Sequence, residues 1–409
     1  MMRFSIRAAV ILVLFSTPLL RTDAATPVSE LEAFLSDRGW DSDQLSEQAF
    51  AKLPLTATQA KRATDLLRRA HASHIRQTRA AEMKAKQIKL DTKVMRFDYK
   101  LFGKKPATGR NLYISMHGGG GAPPQVNDSQ WENQKRLYQP KEGVYLVPRA
   151  PTDTWNLWHQ GHIDPMFTRL IENLIVFEDV NPDRVYIMGY SAGGDGVYQL
   201  APRMADQLAA AAMMAGHPNE TSPLGLRNIG FTLHMGEKDG AYKRNQIAAT
   251  WKGLLADLQK ADPQGYRHHV QIHPGKGHWM NLQDAVAVEW MAKFTRDLRP
   301  KKIVWKQDDV RHQRFYWLAV GQGDTKARAL VRASHDDSRF TIDTNDVDTL
   351  VIRLDDTMTD LDQPIQVIAG DKTVFTGKVQ RSIATLVKTL AERGDPNAMF
   401  SAEVEVTLK

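Results

Sequence analysis

The sequence predicts an α/β architecture: a mostly parallel sheet with helices on both faces, an N-terminal helical segment before it and a β-sandwich-like domain after it. Three observations predict this. Between residues 94 and 299, short apolar strands alternate with longer stretches of helical periodicity, as in a parallel sheet covered on both sides. Ahead of that region, residues 25–93 are polar and helical in pattern. Beyond it, from Pro300 to residue 409, short strands separated by turn residues take over. A chain of 409 residues has room for one large domain and a smaller companion.

The first 24 residues predict a cleavable signal peptide. Arg3, Arg7 and Arg21 flank an apolar run from Ala8 to Phe15, and small residues stand at Thr22 and Ala24. The run is shorter than the roughly 20 apolar residues a spanning helix needs. The expected mature protein begins near Ala25, is secreted or periplasmic, and makes no stable membrane insertion. The chain has no cysteine, which excludes a cysteine nucleophile, a thiolate metal site and a lipid-modified N-terminal cysteine. Its formal charge is +7. Export argues against nucleic acid as a partner, so the excess reads as solvated basic surface.

Within residues 25–93, a short helix is expected over 29–35, capped by Ser29 with Glu30 and Glu32 behind it. A longer one is expected over 56–89, rich in Lys61, Arg62, Arg68, Arg69, Arg76 and Arg79 against few acids, chiefly Asp65 and Glu82. Such a charge run reads as a solvated face. The α/β region then offers strands over 112–116, 143–147, 185–188, 209–214, 230–235 and 269–273. Helices are expected over 167–177, 193–200, 245–260 and 284–297, the first with Asp164 and Pro165 at its cap and first turn. The tail reads as strands over 303–306, 314–320, 327–333, 340–344, 349–354, 365–369 and 374–379, then a helix over 382–393 and a last strand over 402–407.

The segment Gly189-Tyr190-Ser191-Ala192-Gly193-Gly194 follows an apolar strand and opens a helix. A serine on so tight a turn projects its hydroxyl above the sheet, and the crowding demands small neighbours on either side: a nucleophile elbow. A serine hydroxyl needs a base, and in this arrangement an acid and a histidine follow it in chain order. Asp239 sits after one expected strand and His278 after the next, so Asp239 would orient the imidazole and His278 would move the proton. Glu237 rivals Asp239, while His217 breaks the order and His273 belongs to its own strand. His117-Gly118-Gly119-Gly120-Gly121 ends another strand. Backbone N–H groups of Gly118 or Gly119 and of Ala192 are the expected oxyanion hole. No Gly-Lys-Ser/Thr follows, so a phosphate cradle is a poor reading.

Candidate substrate contacts are His117, Trp155, Trp158, Tyr190 and Trp279; the two tryptophans of the 155–158 segment are either an apolar substrate wall or core packing. His159, His162 and Asp164 have a spacing that suggests a metal, but Asp164 has its helix-cap explanation and a triad needs none. No metal and no cofactor are expected.

On these residues, with Arg184-Val185-Tyr186-Ile187-Met188, Ala215-Gly216 and Gly277-His278, the stretch 111–296 resembles secreted α/β-hydrolase esterases of the polyhydroxybutyrate depolymerase and feruloyl esterase type. The resemblance implies the α/β-hydrolase fold and a serine esterase with Ser191, Asp239 and His278 as triad. Its substrate would be a small-molecule or polymeric ester. Such esterases often carry cysteines near the site, and this chain has none. The Gly236-to-Asp239 segment is also similar to secreted prolyl-oligopeptidase-type hydrolases, which keeps a peptidase as the alternative. A non-catalytic polymer-binding protein is a third reading, disfavoured by the complete set of triad positions. The helical start and the strand-rich tail lie outside the resemblance.

Overall fold

The computed structural model describes residues 26–408; the leader expected over 1–24 lies outside them. The described chain opens with helices α1 (Pro27–Arg38), α2 (Ser42–Ser46) and α3 (Ala57–Ala85). Thr26, not Ser29, caps α1: its hydroxyl accepts from the amide of Ser29, which reciprocates from the third helical position, and Pro27 takes the first. α3 stops at Ala85 because Lys86 turns left-handed (φ 50°). Residues 87–89, expected as helix, instead form strand β1 (Gln87–Leu90), paired antiparallel with β2 (Lys93–Phe102) so that Ile88 is buried opposite Met95. Four residues are too few to display a two-residue period.

The remaining strands of this sheet are β3 (Arg110–Met116), β4 (Gly143–Arg149), β5 (Val180–Tyr190), β6 (Ala210–Met214), β7 (Gly230–Gly236) and β8 (His268–His273). Their order is β1-β2-β4-β3-β5-β6-β7-β8, antiparallel through β4 and parallel from there on. This is the α/β-hydrolase fold. Strands β4, β6 and β7 are buried along their whole length, which explains their unbroken apolar runs. Helices α4 (Pro124–Leu137) and α8 (Val286–Met291) cover one face, where Trp131, Ala287 and Met291 meet Tyr113, Tyr186 and Met214. α5 (Ile163–Phe177), α6 (Ala192–Arg203) and α7 (Arg244–Ala261) cover the other, over Ile114, Ile187 and Met213. The helix expected over 284–297 is shorter: beyond α8 the chain turns so that the Arg296 guanidinium meets Asp183 and Asp395.

The tail builds two sheets. Its strands are β9 (Lys302–Lys306), β10 (Arg314–Phe315), β11 (Leu318–Ala319), β12 (Leu330–Asp336), β13 (Arg339–Asn345), β14 (Thr349–Leu354), β15 (Ile365–Ala369), β16 (Lys372–Gly377) and β17 (Ala402–Thr407), with α9 (Ile383–Arg393) before the last. One sheet runs β16-β15-β13-β12-β9 and the other β10-β11-β14-β17. They meet through aromatic rings, Trp305 stacked on Phe315 and Trp317 edge-on to Phe340. The single strand expected over 314–320 is two short ones, broken at Tyr316 (φ 55°), whose hydroxyl reaches across to donate to the carbonyl of Ala205.

Neither flank stands apart from the hydrolase sheet. Apolar residues of α1, α2 and α3 (Val28, Leu31, Leu45, Leu67) share a buried cluster with Ile383, Leu386 and Leu390 of α9. The basic face of α3 is not simply solvated. Arg79 and His71 converge on Glu172 of α5, Glu82 accepts from Arg169, and Arg62 pairs with Glu32. Asp164, expected as the cap of α5, lies inside that helix and is buried between Arg203 (2.6 Å) and His312 of the tail (2.8 Å). Its carboxylate is spent on a guanidinium and an imidazole rather than on backbone amides, which also removes it from any metal set with His159 and His162. Among the described residues, no helix is long and apolar enough to cross a membrane.

Candidate active site

Strand β5 delivers Tyr190, and the next residue, Ser191, takes φ 57° and ψ −121° before α6 begins. A non-glycine residue in that region is strained and persists only where its surroundings enforce it. Here the surroundings are glycine. A Cβ on Gly189 would lie 2.2 Å from the carbonyl oxygen of Gly193, and one on Gly193 would lie 2.2 Å from that of Met116. Only this pair of bare backbones lets strand, turn and helix close so tightly.

The loops after β7 and β8 bring the other two residues to the same edge. Nε2 of His278 is 3.0 Å from Oγ of Ser191, and Nδ1 is 2.7 Å from Oδ2 of Asp239. The Asp239 carboxylate is 2% exposed, with Arg244 at 4.0 Å from its second oxygen. The rivals are occupied elsewhere. Glu237 accepts from the amide of Gly275 and so braces the loop that leads to His278. His217 accepts from the amide of Asn219, and His273 is buried against His234.

Ala192 is the first residue of α6, so its N–H has no acceptor within the helix. Gly118 stands close to the serine: a Cβ there would lie 3.2 Å from Cβ of Ser191. The glycine loop is held from both sides. Asn127 of α4 accepts from the amide of Gly120 and donates to the carbonyl of Ala122 and to Asp153. Gly119 (φ 107°) could carry no side chain, because a Cβ would collide with Asn127 Oδ1 at 2.1 Å.

Two expected substrate contacts are corrected. His117 is fully buried. The amide of Ala150 donates to its Nε2, which puts the proton on Nδ1, and Nδ1–H donates to the carbonyl of Gly118 at 2.6 Å. Burial pushes its pKa down to about 4, so it stays neutral and serves as a prop for the loop. Trp158 is also fully buried, its indole N–H donating to the carbonyl of His117. A buried indole needs a partner for its N–H, and here a backbone carbonyl supplies it.

Trp155 and Trp279 are exposed, at 64% and 48%. Each walls one of two cavities that meet at the glycine loop. The larger, about 650 Å³, is lined by Ser191, His278, Tyr190, Trp279, Leu137 and Leu282, among others. The smaller, about 230 Å³, is lined by Gly119, Gly120 and Ala192 on one side and Trp155, Asp195 and Arg244 on another. Burial pushes the Asp195 carboxyl up to about 6. Asn127, Asp195 and Arg244 were not among the sequence candidates. A lone Asn in a polar helix, an Asp four residues after the serine and an Arg at a helix start carry no motif.

Tyr190 lines the larger cavity, yet its hydroxyl is engaged by the histidine loop. It donates to the carbonyl of His278 at 2.5 Å and accepts from the amide of Met280 at 3.0 Å. Tyr190→Phe removes both bonds without changing the ring. Two hydrogen bonds worth about 1 kcal/mol each set an upper range near 30-fold; with partial compensation by water, kcat is expected to fall about tenfold with KM near wild type. Steady-state kinetics on a soluble ester check this, and an unchanged kcat would show that the loop holds itself.

A protein-family model described as the dienelactone hydrolase family matches residues 147–293, a span that contains Ser191, Asp239 and His278. Among solved structures, about half of this chain superposes on several hydrolases. A thermostable esterase is 16% identical with a TM-score of 0.39, covering 51% of this chain and 62% of its own. The fluorophosphonate-binding serine hydrolase F of Staphylococcus aureus is 12% identical, TM-score 0.38, covering 50% and 96%. A feruloyl esterase module from Clostridium thermocellum is 14% identical, TM-score 0.37, covering 51% and 86%. A search of curated proteins returns no match.

Proposed function

We propose that this chain is a serine hydrolase that cleaves carboxylic esters through an acyl-enzyme on Ser191. The observation that carries the reading is the relay in which one imidazole touches both the Ser191 hydroxyl, at 3.0 Å, and the buried Asp239 carboxylate, at 2.7 Å. The match to a hydrolase family model across the same residues supports it. Asp239 accepts from Nδ1–H and so leaves Nε2 free to act as base. As Oγ attacks the ester carbonyl, Nε2 takes its proton, and negative charge develops on the carbonyl oxygen. The N–H groups of Ala192 and of Gly118 or Gly119 receive that charge without reorganising. Collapse breaks the C–O bond, and the imidazolium returns its proton to the leaving alcohol. Water, deprotonated by Nε2, then releases the acid and restores Ser191.

The resemblance to polyhydroxybutyrate depolymerase and feruloyl esterase-type enzymes is carried over for this chemistry, not for a particular substrate. The leader-like first 24 residues support action outside the cytoplasm. A panel of p-nitrophenyl esters set against aminoacyl-anilides tests the bond cleaved. Esters are expected to turn over with kcat/KM at least about 100-fold above anilides, beyond what one good differential interaction supplies. Anilides turning over faster would make the enzyme a peptidase.

A further inference from the structure

We infer that the two cavities divide an ester between them, the larger holding the alcohol side and the smaller a short acyl group that bears an uncharged hydrogen-bond acceptor. This rests on Ser191 being the nucleophile. The tetrahedral carbon bound to Oγ has three other substituents. Its oxyanion must meet the amides at Ala192 and the glycine loop, and its leaving oxygen must lie within reach of His278 Nε2. The cavity of about 650 Å³ is walled by His278 itself, with Ser191, Trp279 and Leu282, so the alcohol departs into it. The cavity of about 230 Å³ lies against Gly119, Gly120 and Ala192, and no triad residue lines it. It is the direction left for the acyl chain.

The chemistry of the smaller cavity specifies what that chain carries. Arg244 lines it with a largely buried side chain stacked over the ring of Tyr242, 4.9 Å from guanidinium carbon to ring centre. Its Nε–H is buried and has no hydrogen-bond partner. The guanidinium that lines the cavity donates no hydrogen bond among the described residues, so an acceptor bound there would meet unpaired donors. That acceptor is neutral on charge grounds. Arg244 stands 4.0 Å from Asp239, and the Asp195 carboxyl lines the same cavity, accepting from the amide of His217 at 2.6 Å. One cation facing two acids leaves no surplus positive charge for a third anion. An ether, carbonyl or hydroxyl oxygen fits, and a carboxylate does not. Two residues of the cavity wall, Asn219 and Tyr242, stand at positive φ, 53° and 54°.

Two comparisons on the full chain at pH 8, where Asp195 is ionised, test this. First, 2-naphthylmethyl acetate and methyl 2-naphthylacetate are isomers with the bulk on opposite sides of the ester. The former is expected to be hydrolysed with at least about tenfold higher kcat/KM, and equal or reversed rates overturn the assignment of cavities. Second, 2-naphthylmethyl methoxyacetate, butyrate and hydrogen succinate are compared after normalising to their hydroxide-catalysed rates. The methoxyacetate is expected to exceed the butyrate about tenfold, with the succinate slower than both. Arg244→Met is expected to bring the methoxyacetate-to-butyrate ratio close to one. A weakened triad would lower both rates and leave the ratio at ten, which overturns the role given to Arg244; a succinate faster than the methoxyacetate overturns the charge argument. No turnover of any ester, with Ser191 unlabelled by a fluorophosphonate, would instead fell the esterase reading and this inference with it.

Discussion

Ser191→Ala is expected to lower kcat on any ester by about 10⁴-fold or more, and to abolish covalent labelling by a fluorophosphonate. The residual rate comes from substrate binding and the oxyanion amides, which the substitution leaves in place. The fold should survive. Ser191 makes its structural contacts through backbone, its amide donating to the carbonyl of Met214 at 2.9 Å and its carbonyl accepting from Asp195 at 3.0 Å. Alanine keeps both and removes only Oγ. Circular dichroism and a urea midpoint near wild type, together with lost labelling, are the expected pair of results. Persistent labelling of a folded Ser191→Ala protein would place the nucleophile elsewhere. Asp239→Asn is expected to reach a comparable loss, because the amide NH2 can donate to Nδ1 and so favour the tautomer with the proton on Nε2, and a neutral amide does not stabilise the imidazolium.

The largest expected effect on stability lies outside the site, at Asp164→Ala. The carboxylate is buried, and its two oxygens bind Arg203 at 2.6 Å and His312 at 2.8 Å. The Arg203 side chain is itself buried, with Nε and Nη1 already lacking partners. Removing Asp164 leaves its charge with one remaining contact, the carbonyl of His159 at 3.2 Å. Breaking a buried pair in this way costs about 3–5 kcal/mol, read as a fall in the urea midpoint at unchanged slope. A shift below about 1 kcal/mol would mean the guanidinium finds water instead. The pair also carries a pH signature. Burial pushes the Asp164 pKa up, but Arg203 and His312 more than offset it and hold the carboxyl below the ordinary aspartate value of 3.8. A group with a depressed folded pKa contributes stability that is present above its unfolded value and lost as pH falls through the folded one. Wild type should therefore lose this contribution below about pH 4, where the Asp164→Ala variant has none to lose.

The parts legible from residues alone were those whose physics is local. A buried parallel strand must be an unbroken apolar run, so the strands at 112–116, 143–147, 209–214 and 230–235 announced themselves. A backbone bent hard enough to expose Ser191 needs glycine at 189 and 193, and the collisions a Cβ would make at both positions give the reason. Chain order then pointed to Asp239 and His278, which the structure brings to Ser191. Misreadings came where partners are distant in sequence. Asp164 looked like a helix cap because its partners, Arg203 and His312, stand 39 and 148 residues away. His117 and Trp158 looked like substrate contacts because nothing local says that a carbonyl and an amide wait to bury them. The basic run of α3 looked solvated because Glu172 belongs to another helix.

By itself, then, the sequence determined the α/β order and the sharp turn at the serine, which follow from period and steric need within a few residues, and it offered Asp239, with Glu237 as rival, and His278 as the partners; the structure selected Asp239. Tertiary structure alone decided which polar groups are spent on holding the loops and which face the cavities. It also decided that the helical start and the strand-rich tail close on one another through α9, beside the sheet. The reason is physical. Burial of a polar or charged side chain is tolerated only when a partner meets it, and those partners are brought by packing between segments that no local pattern connects.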